Sequence, residues 1–380
     1  MPRKNVLPLC GKPLIAWTIE AAVAASSVDR VVVSTDDPEI GAVAEKFGAG
    51  VIWRPEEISG DLASSEAALL HALDHLAEME GYRPSHVVFL QCTSPLTIAD
   101  DIDATVERLE RENADTALAV TDFHYFLWRW DESDSAVGIN HDKRVRPMRQ
   151  QREPNYRETG AVYVMNADGF RERKHRFFGK TVMQVIPPER CLEVDEPVDF
   201  RIAEVLLRDR LQKARIEKLP APVSAVVFDF DGVMTDNRVL VQQDGSEAVY
   251  CNRGDGWGIS RLREEGIPML VLSTEENPVV AARCQKLDIR CLQGFREKLV
   301  PLREWLHEHA IDPRHVIYLG NDENDVACLE FVGCGAVVSD AHEIAVPAAD
   351  IVLESRGGKG AVREVCHLVL QRLKRSATMP

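Results

Sequence analysis

No run in this 380-residue sequence approaches the roughly 20 consecutive apolar residues that a bilayer span requires. No charged-then-apolar leader precedes the first amphipathic segment, so nothing in it reads as a secretory signal. Basic residues are in deficit: 45 Lys and Arg stand against 61 Asp and Glu, a net charge of −16. That balance argues against non-specific binding to nucleic acid or acidic lipid, and any anionic substrate must be held by local groups. The nine cysteines include no C-x-x-C pair and fall in apolar stretches such as "VVFLQC" and "FVGCGAVV". Buried reduced thiols are the expectation, hence no zinc, no disulfide framework and a cytoplasmic setting. Internal repeats and low-complexity tracts are missing too.

What is present is α/β alternation. From Arg30 onward, short β-branched runs ("RVVVST", "GVIW", "HVVFLQC") alternate with amphipathic ones ("SEAALLHALDHLAEM", "DDIDATVERLEREN"). Continuous apolar strands separated by helices indicate a parallel sheet covered on both faces. Residues 126–156 break the rhythm and read as an excursion from the sheet. "EPVDFRIAEVLLRDRLQKARIEKL" reads as a closing helix and "LPAPVS" as a linker, after which a second α/β unit opens. The expected domains are 1–215 and 223–380, joined by 216–222.

In the second half, "VVFDFDGVMTD" sets Asp229 and Asp231 at the carboxyl end of an apolar strand, where open α/β sheets bind ligands. One carboxylate there can attack phosphorus while the other shuttles the proton of the leaving alkoxide. The D-F-D-G string alone also fits a plain Asp-Gly turn. Three later positions favour chemistry: Ser273 after "MLVL", Lys298 in "FREKL", and Asp322 with Asp325 in "YLGNDEND", carboxylates suited to Mg²⁺.

This set, in this order, resembles the haloacid dehalogenase superfamily of phosphatases from about Ser224 to Val369. The resemblance implies Asp229 as nucleophile, Asp231 as acid/base, Ser273 and Lys298 as phosphate ligands, and metal support from Asp229, Asp231, Asp322 and Asp325. The 42 residues from Asp231 to Ser273 and the 25 from there to Lys298 leave no room for a cap domain. The segment is similar to the capless subgroup that acts on 3-deoxy-octulosonate 8-phosphate and on nine-carbon sialic acid 9-phosphates. That similarity implies a homotetramer, with the hairpin turning at Asp244-Gly245 helping to close the site.

In the first half, "PRKNVLPLCGKPLIAWTIEAA", "VVVSTDDPEI", "WRPEEISGDLASSEAAL", "VVFLQCTSPL", "YRETGAVYVMN" and "CLEVDEPVDFRIAE" follow one another. Singly, "STDD" and "CTSPL" are ordinary turns, and Trp128 and Trp130 suit packing as well as a sugar platform. In sequence they resemble sialic acid cytidylyltransferases over nearly all of residues 2–211. The resemblance implies a Rossmann-like mixed sheet and attack of a sugar's anomeric hydroxyl on the α-phosphorus of CTP. It also implies Glu193 and Asp195 as an Mg²⁺ carboxylate pair on one strand face. Lys4, Asn5, Arg54, Thr93 and Ser94 are implied around the nucleotide, and Arg146, Arg149 and Gln150 facing the acidic sugar. Thr159 stands where many relatives carry Asn.

Those relatives open with a buried strand and a Gly- and Ser-containing basic loop before P-x-K-N. The expectation is therefore either a start inside a longer reading frame or a lost triphosphate clamp. The reading that follows is a two-domain α/β enzyme needing Mg²⁺. It couples CMP to a nine-carbon sugar acid and hydrolyses the 9-phosphate, without nucleic acid or membrane. A phosphatase whose first domain only binds sugar or oligomerises is the alternative. A non-enzymatic tetramerising platform is a third, opposed by the complete Asp/Asp/Ser/Lys/Asp set.

Overall fold

The computed structural model describes residues 1, 3–60 and 63–378, the side chains of 376–378 excepted. Pro2 of the P-x-K-N motif and the Asp61-Leu62 pair of "ISGDLASS" lie outside the described residues. Two compact units divide the chain, Met1–Asp209 and Arg210–Pro380.

The first unit opens with a tight hairpin, β1 (Pro8–Leu9) and β2 (Lys12–Pro13), turning at Cys10 and Gly11, both at positive φ. Then come α1 (Leu14–Ala24), β3 (Val32–Thr35), α2 (Pro38–Lys46), β4 (Gly50–Trp53), α3 (Ser65–Glu80), β5 (His86–Leu90) and α4 (Ala99–Arg111). Helix starts follow local chemistry: the Asp37 carboxylate accepts from the amides of Glu39 and Ile40, and the Ser64 hydroxyl from that of Ala67. The unit continues with β6 (Thr116–Phe123), the outlying hairpin β7 (Trp128–Trp130) and β8 (Ala136–Gly138), β9 (Asn155–Asn166), α5 (Ala167–Arg173) and β10 (Thr181–Val185); α6 (Pro197–Lys218) starts in this unit and runs past its end at Asp209.

The main sheet has the order β10-β6-β9-β5, and β3-β4 form a separate parallel pair. β9 runs antiparallel to both β5 and β6, so the sheet is mixed. This is the mixed sheet that the resemblance implied; the apolar runs alone read as parallel because an antiparallel strand buried on both faces carries the same pattern as a parallel one: seven successive residues, Thr159–Met165, are buried in β9. Residues 126–154 do leave the sheet, as expected, but Asn155 and Tyr156 already belong to β9 and pair with Phe123 and Asp122 of β6.

The second unit contains β11 (Ala225–Phe228), the hairpin β12 (Thr235–Val241) and β13 (Glu247–Cys251), α7 (Arg253–Glu264), β14 (Met269–Leu272), α8 (Pro278–Leu287), β15 (Arg290–Leu292), α9 (Leu299–Glu308), β16 (Val316–Gly320), α10 (Val326–Phe331), β17 (Cys334–Val337), β18 (Ile351–Val352) and α11 (Ala361–Thr378). Its six-stranded sheet, β15-β14-β11-β16-β17-β18, is parallel throughout. Alternate residues of β11 face opposite layers: Val226 and Phe228 pack with α7 and α11, Ala225 and Val227 with α9 and α10. Full burial of each such Val or Phe contributes about 1.5–3 kcal/mol, which holds β11 rigidly at the centre with its carboxyl end opening onto the crevice. Ile216 and Leu219 are buried in this core. Residues 216–218 are therefore helical and packed rather than part of a free linker.

Candidate active sites

β11, β14 and β16 are neighbours and end at one level, so the residues just past their carboxyl ends converge. Asp229 follows β11, Ser273 follows β14, and Asn321 and Asp322 follow β16. Lys298 is the N-cap residue of α9 and comes in from the side. Its ammonium lies 2.6 Å from Asp229 Oδ1 and 2.7 Å from Asp325 Oδ1, with all three side chains at most 5% exposed. Ser273 is buried and its hydroxyl accepts the Glu275 amide at 3.0 Å. The Thr235 hydroxyl donates to Asp231 Oδ1 at 3.4 Å.

Electrostatics follow from this burial. Desolvation, reinforced by the Asp325 charge and opposed by Lys298, lifts the Asp229 carboxyl to about 7. Burial, with Glu275 nearby, also raises that of Asp231. Burial alone would lower the Lys298 ammonium, but Asp229 and Asp325 hold it above its ordinary value.

Asp325 takes a different part from the one expected. The Lys298 ammonium and the Tyr318 hydroxyl both donate to its Oδ1, and the amides of Asn321 and Asp322 to its Oδ2. Four donors leave it no lone pair for a metal, so it is the buried counter-ion that positions Lys298. Nor do the six carboxylates expected to hold metal close into clusters: among the described residues no three His, Cys, Asp or Glu side chains gather tightly enough for an ion. A divalent ion here would need amide, carbonyl, water or phosphate oxygens as well, which suits Mg²⁺. Asn321 supplies one such group. Its amide lies so close to the Asp229–Gly232 loop that a Cβ on Gly232 would collide with it. Its burial and that of Tyr318 were not read from the sequence; a tyrosine inside the apolar strand "VIYLG" was the available sign that a buried polar partner waits nearby.

In the first unit, Lys4 donates to Asp195 Oδ1 and to the Val194 carbonyl, both at 3.0 Å. Glu193 and Asp195 lie in an extended loop before α6, not on a strand as expected, and the Val194 amide fixes that loop to the Thr93 carbonyl at 2.7 Å. Burial, then the neighbouring Asp195 charge, raises the Glu193 carboxyl above the usual range. Gly160, at φ +64°, lies against Glu193 and Gln91 so closely that any Cβ would collide with both. Gln91 was not read from the sequence either. Asn5, Arg54 and Thr93 line one cavity, where Arg54 pairs with Asp36 at 3.0 Å and Asn5 accepts from the Cys92 thiol at 3.2 Å.

Other expected residues are not part of this group. Ser94 is fully buried inside its turn. The Thr159 hydroxyl is spent on the Ala119 carbonyl at 2.9 Å. Arg146 stacks over Phe126, 4.6 Å from the ring centre, while Arg149 and Gln150 occupy an exposed turn.

Comparison with known proteins matches residues 1–181 to a cytidylyltransferase family and residues 290–365 to haloacid dehalogenase-like hydrolases. N-acylneuraminate cytidylyltransferase A of Danio rerio is 31% identical over 100% of this chain and 88% of its own length. The N-acylneuraminate cytidylyltransferase of Oncorhynchus mykiss is 30% identical over 100% and 88%. The 3-deoxy-D-manno-octulosonate 8-phosphate phosphatase KdsC of Escherichia coli (strain K12) is 36% identical over 39% of this chain and 79% of its own length.

Proposed function

The chain belongs to the N-acylneuraminate cytidylyltransferase family, and from that premise we propose that it transfers CMP from CTP to a nine-carbon 2-keto-3-deoxy sugar acid and also hydrolyses the corresponding sugar 9-phosphate. The observation that carries the hydrolytic half is the buried Lys298 ammonium held between Asp229 and Asp325 at the strand ends. The Lys4, Glu193 and Asp195 grouping supports the transfer half.

In hydrolysis, an Asp229 oxygen attacks phosphorus and the bond to the sugar oxygen breaks, leaving an aspartyl phosphate. Asp231 gives its proton to the departing alkoxide; its raised affinity for that proton fits an acid. Water then attacks the phosphorus, Asp231 takes back a proton, and Asp229 is freed. Lys298 and the Ser273 hydroxyl neutralise and orient the phosphoryl oxygens. Asp229, Asp322, Asn321 and the Asp231 backbone are the groups that would hold Mg²⁺. The donor set fits because three carboxylates, Asp229, Asp231 and Asp325, face a single Lys298 charge. Bound there, the ion supplies charge neutralisation for the phosphoryl group.

In transfer, the anomeric hydroxyl attacks the α-phosphorus and pyrophosphate leaves. Glu193 and Asp195 are the carboxylates for Mg²⁺, Lys4 orients Asp195, and Arg54, Asn5 and Thr93 flank the nucleotide. A homotetramer would cover the open phosphatase mouth. The test is one preparation assayed in Mg²⁺ for phosphate release from N-acetylneuraminate 9-phosphate and for pyrophosphate release from CTP with N-acetylneuraminate. Phosphate release without pyrophosphate release would favour the phosphatase-only alternative, and neither activity would overturn both.

A further inference from the structure

All nine cysteines are free thiols, and three of them, Cys251, Cys284 and Cys291, pack into one apolar cluster of the second unit. Local chain geometry brings two of these together. Cys284 lies in the last turn of α8, which stops where Asp288 takes a φ of +52°. The Cys284 carbonyl accepts the Ile289 amide at 3.1 Å, closing the turn and sending the chain back as β15 with Cys291 at its centre. The two thiols meet there and share a hydrogen bond.

They are not equivalent. Cys284 is 1% exposed, whereas Cys291 is half-buried on β15, an edge strand, so small solutes reach one sulfur and not the other. The hydrogen bond from Cys284 holds the Cys291 thiol below its ordinary value against the effect of burial, and the same bond together with burial pushes Cys284 up. Cys284 thus keeps its proton and donates it, and Cys291 accepts. Elsewhere burial raises the thiols of Cys92, Cys191, Cys251, Cys328, Cys334 and Cys366. A reachable sulfur inclined to the thiolate, with a second thiol against it, is what an oxidisable pair requires.

We propose that Cys291 and Cys284 are a modification site that a hydroperoxide converts to a reversible disulfide, with Cys291 as the attacking thiol and Cys284 as the resolving one. The Cys291 sulfur attacks a peroxide oxygen, the O–O bond breaks, and a sulfenic acid forms while hydroxide leaves and is protonated to water. The sulfur is oxidised by two electrons and the peroxide is reduced. The Cys284 sulfur then attacks that of Cys291, the S–S bond forms as the S–O bond breaks, and the departing hydroxide takes the Cys284 proton. Two thiols and one hydrogen peroxide give one disulfide and two waters. The bridge would tie α8 to β15 beside the phosphatase site: Cys291 and Leu292 pair with Val271 and Leu272 of β14, and the Leu292 carbonyl accepts the Ser273 amide at 2.9 Å. The inference concerns thiol chemistry and stands independently of either activity.

The test exposes the reduced full-length protein to hydrogen peroxide, blocks remaining thiols with iodoacetamide in denaturant, and maps tryptic peptides by mass spectrometry. Cleavage after Arg283, Lys286 and Arg290 puts the two cysteines on separate peptides, so a bridge between them appears as a joined pair. The proposal expects that pair to form roughly tenfold faster than Cys328, Cys334 or Cys366 is oxidised, and to vanish with dithiothreitol. Cys284→Ser should stop the reaction at the Cys291 sulfenic acid, trapped by dimedone, and Cys291→Ser should leave Cys284 reduced. In the unaltered protein, oxidation of Cys291 no faster than that of the buried thiols, or a Cys251–Cys284 bridge in its place, overturns the assignment. So does dimedone on Cys284 rather than Cys291.

Discussion

The Lys298 ammonium lies 2.6 Å from the Asp229 carboxylate, with neither side chain more than 5% open to solvent. A buried ion pair of this kind is costly to break from one side, because the abandoned charge stays out of water. Lys298→Met is therefore expected to lower unfolding stability by about 3–5 kcal/mol and to abolish phosphate release. Asp229→Asn keeps the volume and removes the proposed nucleophile, so it should abolish release while the fold survives. Denaturant unfolding and phosphate assays on the two variants check this; near wild-type release by Asp229→Asn would refute the nucleophile assignment.

The pH dependence has a definite sign. In the proposed mechanism Asp229 must be ionised to attack phosphorus, and burial with Asp325 nearby holds it at about 7. At limiting Mg²⁺, phosphate release should rise through the neutral range, and saturating metal should move that rise to lower pH. For folding the sign is opposite. The native state binds this proton more tightly than the unfolded chain, so the contribution is complete below about pH 4 and is lost as pH rises through about 7. Asp229→Asn should flatten that part of the stability profile, as followed by chemical denaturation at several pH values.

Gly160 tests the first unit. Its positive φ and its approach to Glu193 and Gln91 leave no room for a methyl group. Gly160→Ala should displace the Glu193 carboxylate and reduce pyrophosphate release at least tenfold, leaving phosphate release unchanged. Wild-type transfer by this variant would show that the position of Glu193 is not critical.

Lys4 joins the amino terminus to the same site through Asp195. A charge-assisted hydrogen bond is worth about 1.5–3 kcal/mol, so Lys4→Met should cost roughly one to two orders of magnitude in kcat/KM for CTP. Steady-state kinetics with CTP varied would detect it, and an unchanged value would remove Lys4 from the site.

The hairpin β12–β13 exposes Val239, Leu240, Val241 and Tyr250. Such a cluster calls for a cover. We expect a tetramer by light scattering at micromolar concentration, dissociated by Leu240→Asp, and a monomeric wild-type chain would contradict the assignment.

Much of this was legible along the chain because the chemistry is local. Apolar strands ending in Asp229, Ser273 and Asp322 mark one rim of a sheet, and the helix starts at Asp37 and Ser64 carry their own caps. Periodicity could not reveal that β9 is antiparallel, since burial on both faces erases the alternation that distinguishes strand types. Nor could it place Glu193 and Asp195 in a loop, a matter settled by the bond from Val194 to Thr93, 101 positions away.

The sequence by itself determined two α/β units, the order of their motifs and which carboxylates stand at the strand ends as candidates for phosphoryl chemistry, all consequences of residue type and near-neighbour spacing. Only the tertiary structure decided what each polar group does. Asp325 is a carboxylate of the right kind for a metal, yet four donors from three separate parts of the chain converge on it and make it the counter-ion of Lys298. β9 likewise runs antiparallel to β5 and β6 only once the edges of those strands, distant along the chain, meet it in space. Such outcomes depend on which donors and edges meet in space, and spacing along the chain does not record that.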